Sequence, residues 1–142
     1  MRLNVMLMVL GSMVATTFWA APPTATPPSK EISLTGTFIF TGARTAWEEG
    51  EHQLKATLIS TGTGEWSAVW NFTWGKNQMT FPGVIKGDLH NGTVTGAGTN
   101  PTGSTFVFEG VAKNGTIEFK HFQVTKKGTN KPTGNGKLVV QN

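Results

Sequence analysis

The sequence predicts an all-β domain: an antiparallel up-and-down meander closing into a small barrel of about eight strands, with a β-sandwich as the alternative. Three observations carry this. Trp66, Ala68, Trp70, Phe72 and Trp74 alternate with positions held mostly by polar residues, Glu65, Ser67, Asn71 and Thr73. Strand side chains alternate between faces, so this run is a half-buried strand with three indoles on one side. Gly87-Asp-Leu-His-Asn-Gly-Thr-Val and Gly110-Val-Ala-Lys-Asn-Gly-Thr-Ile share one template. Asn-Gly between alternating apolar residues is a strong hairpin signal, because both central residues need positive φ. Tight-turn signals then recur with no helical connection between them, and closing such a meander removes its unpaired edges.

From the N-terminus, Arg2 precedes an apolar stretch from Val5 to Val14, broken only by Gly11 and Ser12, and small residues follow at Thr16, Thr17 and Ala20. This reads as a signal peptide over residues 1–20, cleaved after Ala20, and implies a secreted or periplasmic protein. The stretch is shorter than the ~20 residues that cross a bilayer, so no membrane span is expected in the mature chain. Residues 21–30 form a Pro/Thr-rich spacer favouring extended, solvated conformations, and residues 31–142 form the barrel domain. Cysteine is absent. That excludes a disulfide framework, a zinc–thiolate site and a thiol nucleophile.

Strands are expected at 32–40, 53–60, 65–74, 78–86 with 87–90 continuing it, 93–99, 104–112, 116–124 and 135–140. Residues 41–52 are read as a loop or short helical turn, because Thr45-Ala-Trp-Glu48 resembles a capping box. A two-residue turn at Asn91-Gly92 pairs Leu89 with Val94 and Gly87 with Gly96. The same operation at Asn114-Gly115 pairs Gly110 with Phe119, Phe108 with His121 and Phe106 with Gln123, and sets Glu109 opposite Lys120. Val107, Phe122 and Val124 then make the outer face apolar, which calls for a covering segment or a register shift. The inward set becomes Trp66, Trp70, Phe72, Trp74, Met79, Phe81, Phe106, Phe108 and Phe119.

The early Gly36-Thr37-Phe38, the Trp-rich strand from Trp66 to Trp74 and the Gly-punctuated hairpins resemble the small secreted antiparallel barrels of the lipocalin and avidin kind. Phe38 stands where the usual lipocalin opening has Trp, and no ligand residue transfers from either family. The resemblance is one of architecture and implies a closed antiparallel barrel.

Catalytic chemistry is not signalled. Ser104 lacks a nucleophile-elbow context, and no Gly-rich loop joins a strand to a helix as phosphate binding requires. Asp88, Glu65 and Glu109 are not brought face to face for acid–base hydrolysis. Glu48, Glu49, Glu51 and His52 are read as a solvated loop cluster rather than a metal site. The Asn71, Asn91 and Asn114 sequons are read as turn and strand chemistry. No enzymatic activity, cofactor, metal or nucleic-acid partner is expected.

The expected function is an exported, non-enzymatic barrel that binds a small apolar ligand in an aromatic interior. Trp66, Trp70, Trp74, Phe106, Phe108, His121 and Gln123 are the candidate ligand-binding residues. Against this stands a core simply filled by those rings. The alternative is a carbohydrate-binding or envelope structural module, with Trp47 stacking on glycans. It would add a basic C-terminal surface of Lys113, Lys120, Lys126, Lys127, Lys131 and Lys137. A solvated face suits those lysines as well, because Lys commonly blunts strand edges.

Overall fold

The computed structural model describes residues 15–23 and 29–142. Residues 1–14 of the expected signal peptide and 24–28 of the expected spacer lie outside these residues. Eight strands follow one another: β1 (Glu31–Phe40), β2 (Glu51–Gly62), β3 (Glu65–Trp74), β4 (Asn77–Gly87), β5 (Asn91–Thr99), β6 (Thr105–Lys113), β7 (Thr116–Val124) and β8 (Asn130–Gln141). Each pairs antiparallel with the next, and β8 returns to β1 from Ser33↔Gln141 to Phe40↔Gly134, closing the barrel. A single 3-10 turn, Ala46–Glu48, lies between β1 and β2.

Alternation decides which side each residue takes. On β3, Ala68 and Trp70 are buried while Glu65, Ser67 and Val69 are exposed. Charged side chains such as Lys55, Lys86, Glu109 and Lys120 occupy the outer wall. Ile39, Ile59, Val69, Val84, Val111 and Val139 are exposed among them, but the apolar interior and the charges on the wall differ from a lipid-embedded barrel, whose interior is polar and whose outer band is apolar. Among the described residues no helix is long and apolar enough to cross a membrane.

The two ends differ. At one end the β2–β3, β4–β5 and β6–β7 connections meet, and backbone hydrogen bonds lace them together. Gly87 N–H donates to Gly64 O (2.8 Å), Gly115 N–H to His90 O (3.1 Å) and Val140 N–H to Gly115 O (2.8 Å). Above this closed end Leu34, Leu58, Ile85, Val94, Ile117 and Leu138 are fully enclosed. Each such side chain contributes roughly 1.5–3 kcal/mol through burial. Leu89 also points inward there.

Midway along the barrel, aromatic rings lie on inward-facing glycines of neighbouring strands. The Phe108 ring covers Gly96 and the Phe119 ring covers Gly136, so a methyl group at either glycine would overlap the ring. Glycine here lets backbone and ring approach closely and lets the sheet coil tightly.

The Asn114-Gly115 hairpin forms as read, with φ of 51° and 76° and with Glu109 opposite Lys120. Asn91-Gly92 does not form the turn. Gly87 pairs with Val94 and Ile85 with Gly96, and Asn91 already belongs to β5. The cause is Asp88, whose carboxylate accepts the N–H groups of His90 (2.8 Å) and Asn91 (3.2 Å), closing the turn three residues earlier. Those two donors also hold the Asp88 carboxyl below the usual carboxylate range. The register moves by an even number of residues, so every side chain keeps its face.

β8 starts earlier than expected, at Asn130. Its register with β7 shifts between His121↔Gly134 and Phe122↔Pro132, leaving Thr133 as the extra residue. This is the irregularity that the apolar outer face of Val107, Phe122 and Val124 called for. The six C-terminal lysines do not share one surface. Lys126, Lys127 and Lys131 lie at the open end, Lys113 lies at the closed end, and Lys120 and Lys137 are on the wall. Lys137 Nζ sits 3.9 Å from Glu118. Finally, the β4–β5 ladder runs only from Gly83↔Gly98 to Gly87↔Val94, so Asn77–Pro82 pairs with β3 alone.

Candidate ligand cavity

At the open end the packed interior gives way to a cavity of about 190 Å³. Alternation along β1 and β3 supplies Phe38, Phe40, Phe72 and Trp74, and β4 adds Met79 and Phe81. β5 offers glycine at this level, and the Phe81 ring lies close above Gly98. For scale, a dry cavity of about 150 Å³ holds benzene, and drug-sized ligands need about 300 Å³ or more. The space suits one ring and its substituents.

Trp47 forms the rim. Glu48 Oε2 accepts the N–H groups of Arg44 (2.6 Å) and Thr45 (3.2 Å), which winds the 3-10 turn. His52 Nε2–H donates to the Glu48 carbonyl (3.3 Å) and ties that turn to β2. Trp47 then rests edge-on against Phe40 at 5.5 Å, with its centroid 6.0 Å from that of Trp74. It remains 48% exposed. Trp74 stacks on Phe72 at 5.4 Å.

The floor is set by His121. Its ring stacks on Phe106 (5.1 Å, 24°) and meets Phe38 edge-on (5.0 Å). Nδ1 is 2.5 Å from the Thr133 hydroxyl, which itself lies 3.1 Å from the His121 carbonyl. Burial lowers the His121 pKa from 6.5 to about 4, because the imidazolium would lose its hydration without gaining an anionic partner. Below His121 a crevice of about 40 Å³ reaches Trp70 and Phe108. A larger concavity of about 920 Å³ lies on the outer wall, but Thr95, Glu109, Lys120 and Lys137 line it and it is open to water.

Of the residues singled out from sequence, Trp74, Phe106 and His121 line the cavity. Trp70 and Phe108 pack edge-on at 5.5 Å beneath it. Trp66 stands at the closed end of the barrel, its Nε1 buried without a hydrogen-bond partner. Gln123 pairs with Phe106 and Lys131 near the open end and is half-buried, outside the cavity lining. Trp47, assigned to a separate glycan surface, shares the cavity rim instead.

His52 departs from its reading as part of a solvated acidic loop. It is 6% exposed and packs inside against Phe40 and Phe72. The alternation of Leu54, Ala56 and Leu58 extended backwards would have found it. Phe38, Phe40 and Leu54 were legible from the same kind of alternation; Asn100 opens the Asn-Pro-Thr-Gly turn signal between β5 and β6, which marks a turn but not a cavity residue. Among the described residues no cluster of His, Asp and Glu is arranged to hold a metal. No family model matches the chain, and no curated protein or solved structure is significantly similar to it.

Proposed function

We propose that this protein is an exported, non-enzymatic binding barrel that takes a small apolar ligand, or the ring end of a larger one, into its aromatic cavity. The observation that carries this reading is the contrast between the barrel's two halves. In one half Leu, Ile and Val side chains are fully buried, whereas in the other half rings from five strands border about 190 Å³ that none of them occupies. A core built only for stability favours dense filling, since voids forfeit packing contacts. The lining is apolar apart from Asn100, His121 and the indole N–H groups, which suits desolvation of an apolar guest and offers no charged group for acid–base chemistry.

Titration of intrinsic Trp fluorescence with ring-sized aromatics, retinoids and fatty acids tests the proposal. Trp47 and Trp74 report on the cavity, while Trp66 and Trp70 lie outside it. Saturable quenching that disappears in Met79→Trp, which fills the space, is the expected result. An unresponsive emission spectrum across the whole panel would sink the reading. A second reading, stacking on carbohydrate, is favoured by the half-exposed Trp47 beside Trp74. Retention on insoluble polysaccharide, lost in Trp47→Ala, is its signature.

A further inference from the structure

Resting on the cavity reading, we propose that the cavity selects ring-sized ligands carrying a neutral hydrogen-bond donor, such as a phenol hydroxyl, which it binds at His121 Nε2, and that it discriminates against carboxylates. The argument starts from Thr133, the extra residue of the β8 irregularity. Its hydroxyl has one hydrogen and two neighbours, the His121 carbonyl at 3.1 Å and His121 Nδ1 at 2.5 Å. A carbonyl only accepts. Both contacts are satisfied together only if Thr133 donates to the carbonyl and accepts from Nδ1–H. The proton of the neutral imidazole is then on Nδ1, and Nε2 carries a lone pair.

Among the described residues no protein group hydrogen-bonds to Nε2, and His121 lines both the cavity and the crevice beneath it. Phe106 and Phe38 hold the ring plane. Burial keeps the imidazole neutral near pH 7. Asn100 at the mouth has its side-chain oxygen occupied by Ser104 N–H (2.9 Å) and the Thr102 hydroxyl (2.8 Å), so it offers only donors. His121 is therefore the side-chain acceptor of the cavity. A phenol satisfies it, whereas a methyl group leaves it unpaired. A carboxylate would meet its lone pair and bury a charge with no cation among the lining residues.

Calorimetric titration with 4-methylphenol, toluene and benzoate at pH 7.5 tests this, alongside ¹⁵N NMR of the histidine rings. 4-Methylphenol is expected to bind about tenfold more tightly than toluene, and benzoate most weakly. His121→Phe should abolish the phenol preference while retaining toluene. Thr133→Val, which leaves His121 in place but frees its Nδ1, should weaken the preference and move the proton to Nε2. Equal affinities for 4-methylphenol and toluene, tightest binding of benzoate, or a proton on Nε2 in the native protein would each overturn the donor preference and leave the cavity reading standing. If none of the three binds, the cavity reading falls and this inference falls with it.

Discussion

The contact between Gly96 and Phe108 makes the barrel's central layer testable by a single methyl group. In Gly96→Ala the new Cβ overlaps the Phe108 ring. That ring cannot move aside freely, because Trp70 packs against it at 5.5 Å and Phe119 at 5.2 Å. Phe119 is itself seated on Gly136. Overpacking a rigid core costs about 1–3 kcal/mol, and displacing Phe108 also weakens two aromatic pairs worth about 0.5–1.5 kcal/mol each. A loss near 3 kcal/mol is expected, lowering the thermal midpoint by about 10 °C in a domain of this size. Urea and thermal unfolding followed by circular dichroism measure it. Gly62→Ala, whose Cβ meets nothing closer than 3.8 Å, should stay within about 0.5 kcal/mol of the parent. Phe108→Leu should relieve the clash, giving a favourable coupling of about 1–2 kcal/mol in the double-mutant cycle. A Gly96→Ala protein as stable as Gly62→Ala, or a cycle with no coupling, would refute the ring-on-glycine account.

Stability should also fall with acid through His121. Its pKa is depressed to about 4 in the folded state, so unfolding takes up a proton below pH 6.5. The histidine's contribution, about 3 kcal/mol, is thus present above pH 6.5 and lost as pH drops to 4; His121→Phe should flatten that slope in chemical denaturation. Asp88→Ala removes the acceptor that closes the β4–β5 turn and should raise amide exchange at His90 and Asn91 in the native protein. His52→Leu cuts the bond to the Glu48 carbonyl and should increase amide exchange over residues 45–49 with little change at β5–β7. Lys86→Ala breaks an exposed ion pair with Glu65 (3.3 Å) and should change stability by less than about 1 kcal/mol.

The barrel was legible because its signals are local. The indole strand and the Asn114-Gly115 hairpin could be placed to the residue, since period-two alternation and positive φ leave few choices. Asn91-Gly92 misled because two turn-forming signals compete there, and a carboxylate already satisfying two backbone donors prevails over an Asn-Gly pair. His52 was misplaced because neighbouring acids suggested solvent; the alternation of its own strand is the stronger evidence. The candidate site was harder. Alternation reveals which face a side chain takes, not how deep along the barrel it lies. Trp66 and Trp74 share a face but sit about 26 Å apart along an extended strand, at opposite ends. The seating of rings on glycines and the meeting of Thr133 with His121 depend on inter-strand register, which no single segment encodes.

The short β4–β5 ladder bears on how large a guest the proposed binding cavity would accommodate. Beyond Gly83, the β4 backbone up to Asn77 has β3 as its one partner strand, and Met79 and Phe81 project from this stretch into the cavity. An outward displacement of residues 77–82 would therefore break no pairing with β5, while the β3 arm of the hairpin stays paired to β2 at Leu54↔Phe72 and Gln53↔Thr73. Pro82, having no N–H, stands where the β5 pairing ends and makes this unpaired margin a poor template for a foreign strand. If the cavity widens for a larger guest, this seam is where widening would cost the fewest backbone hydrogen bonds.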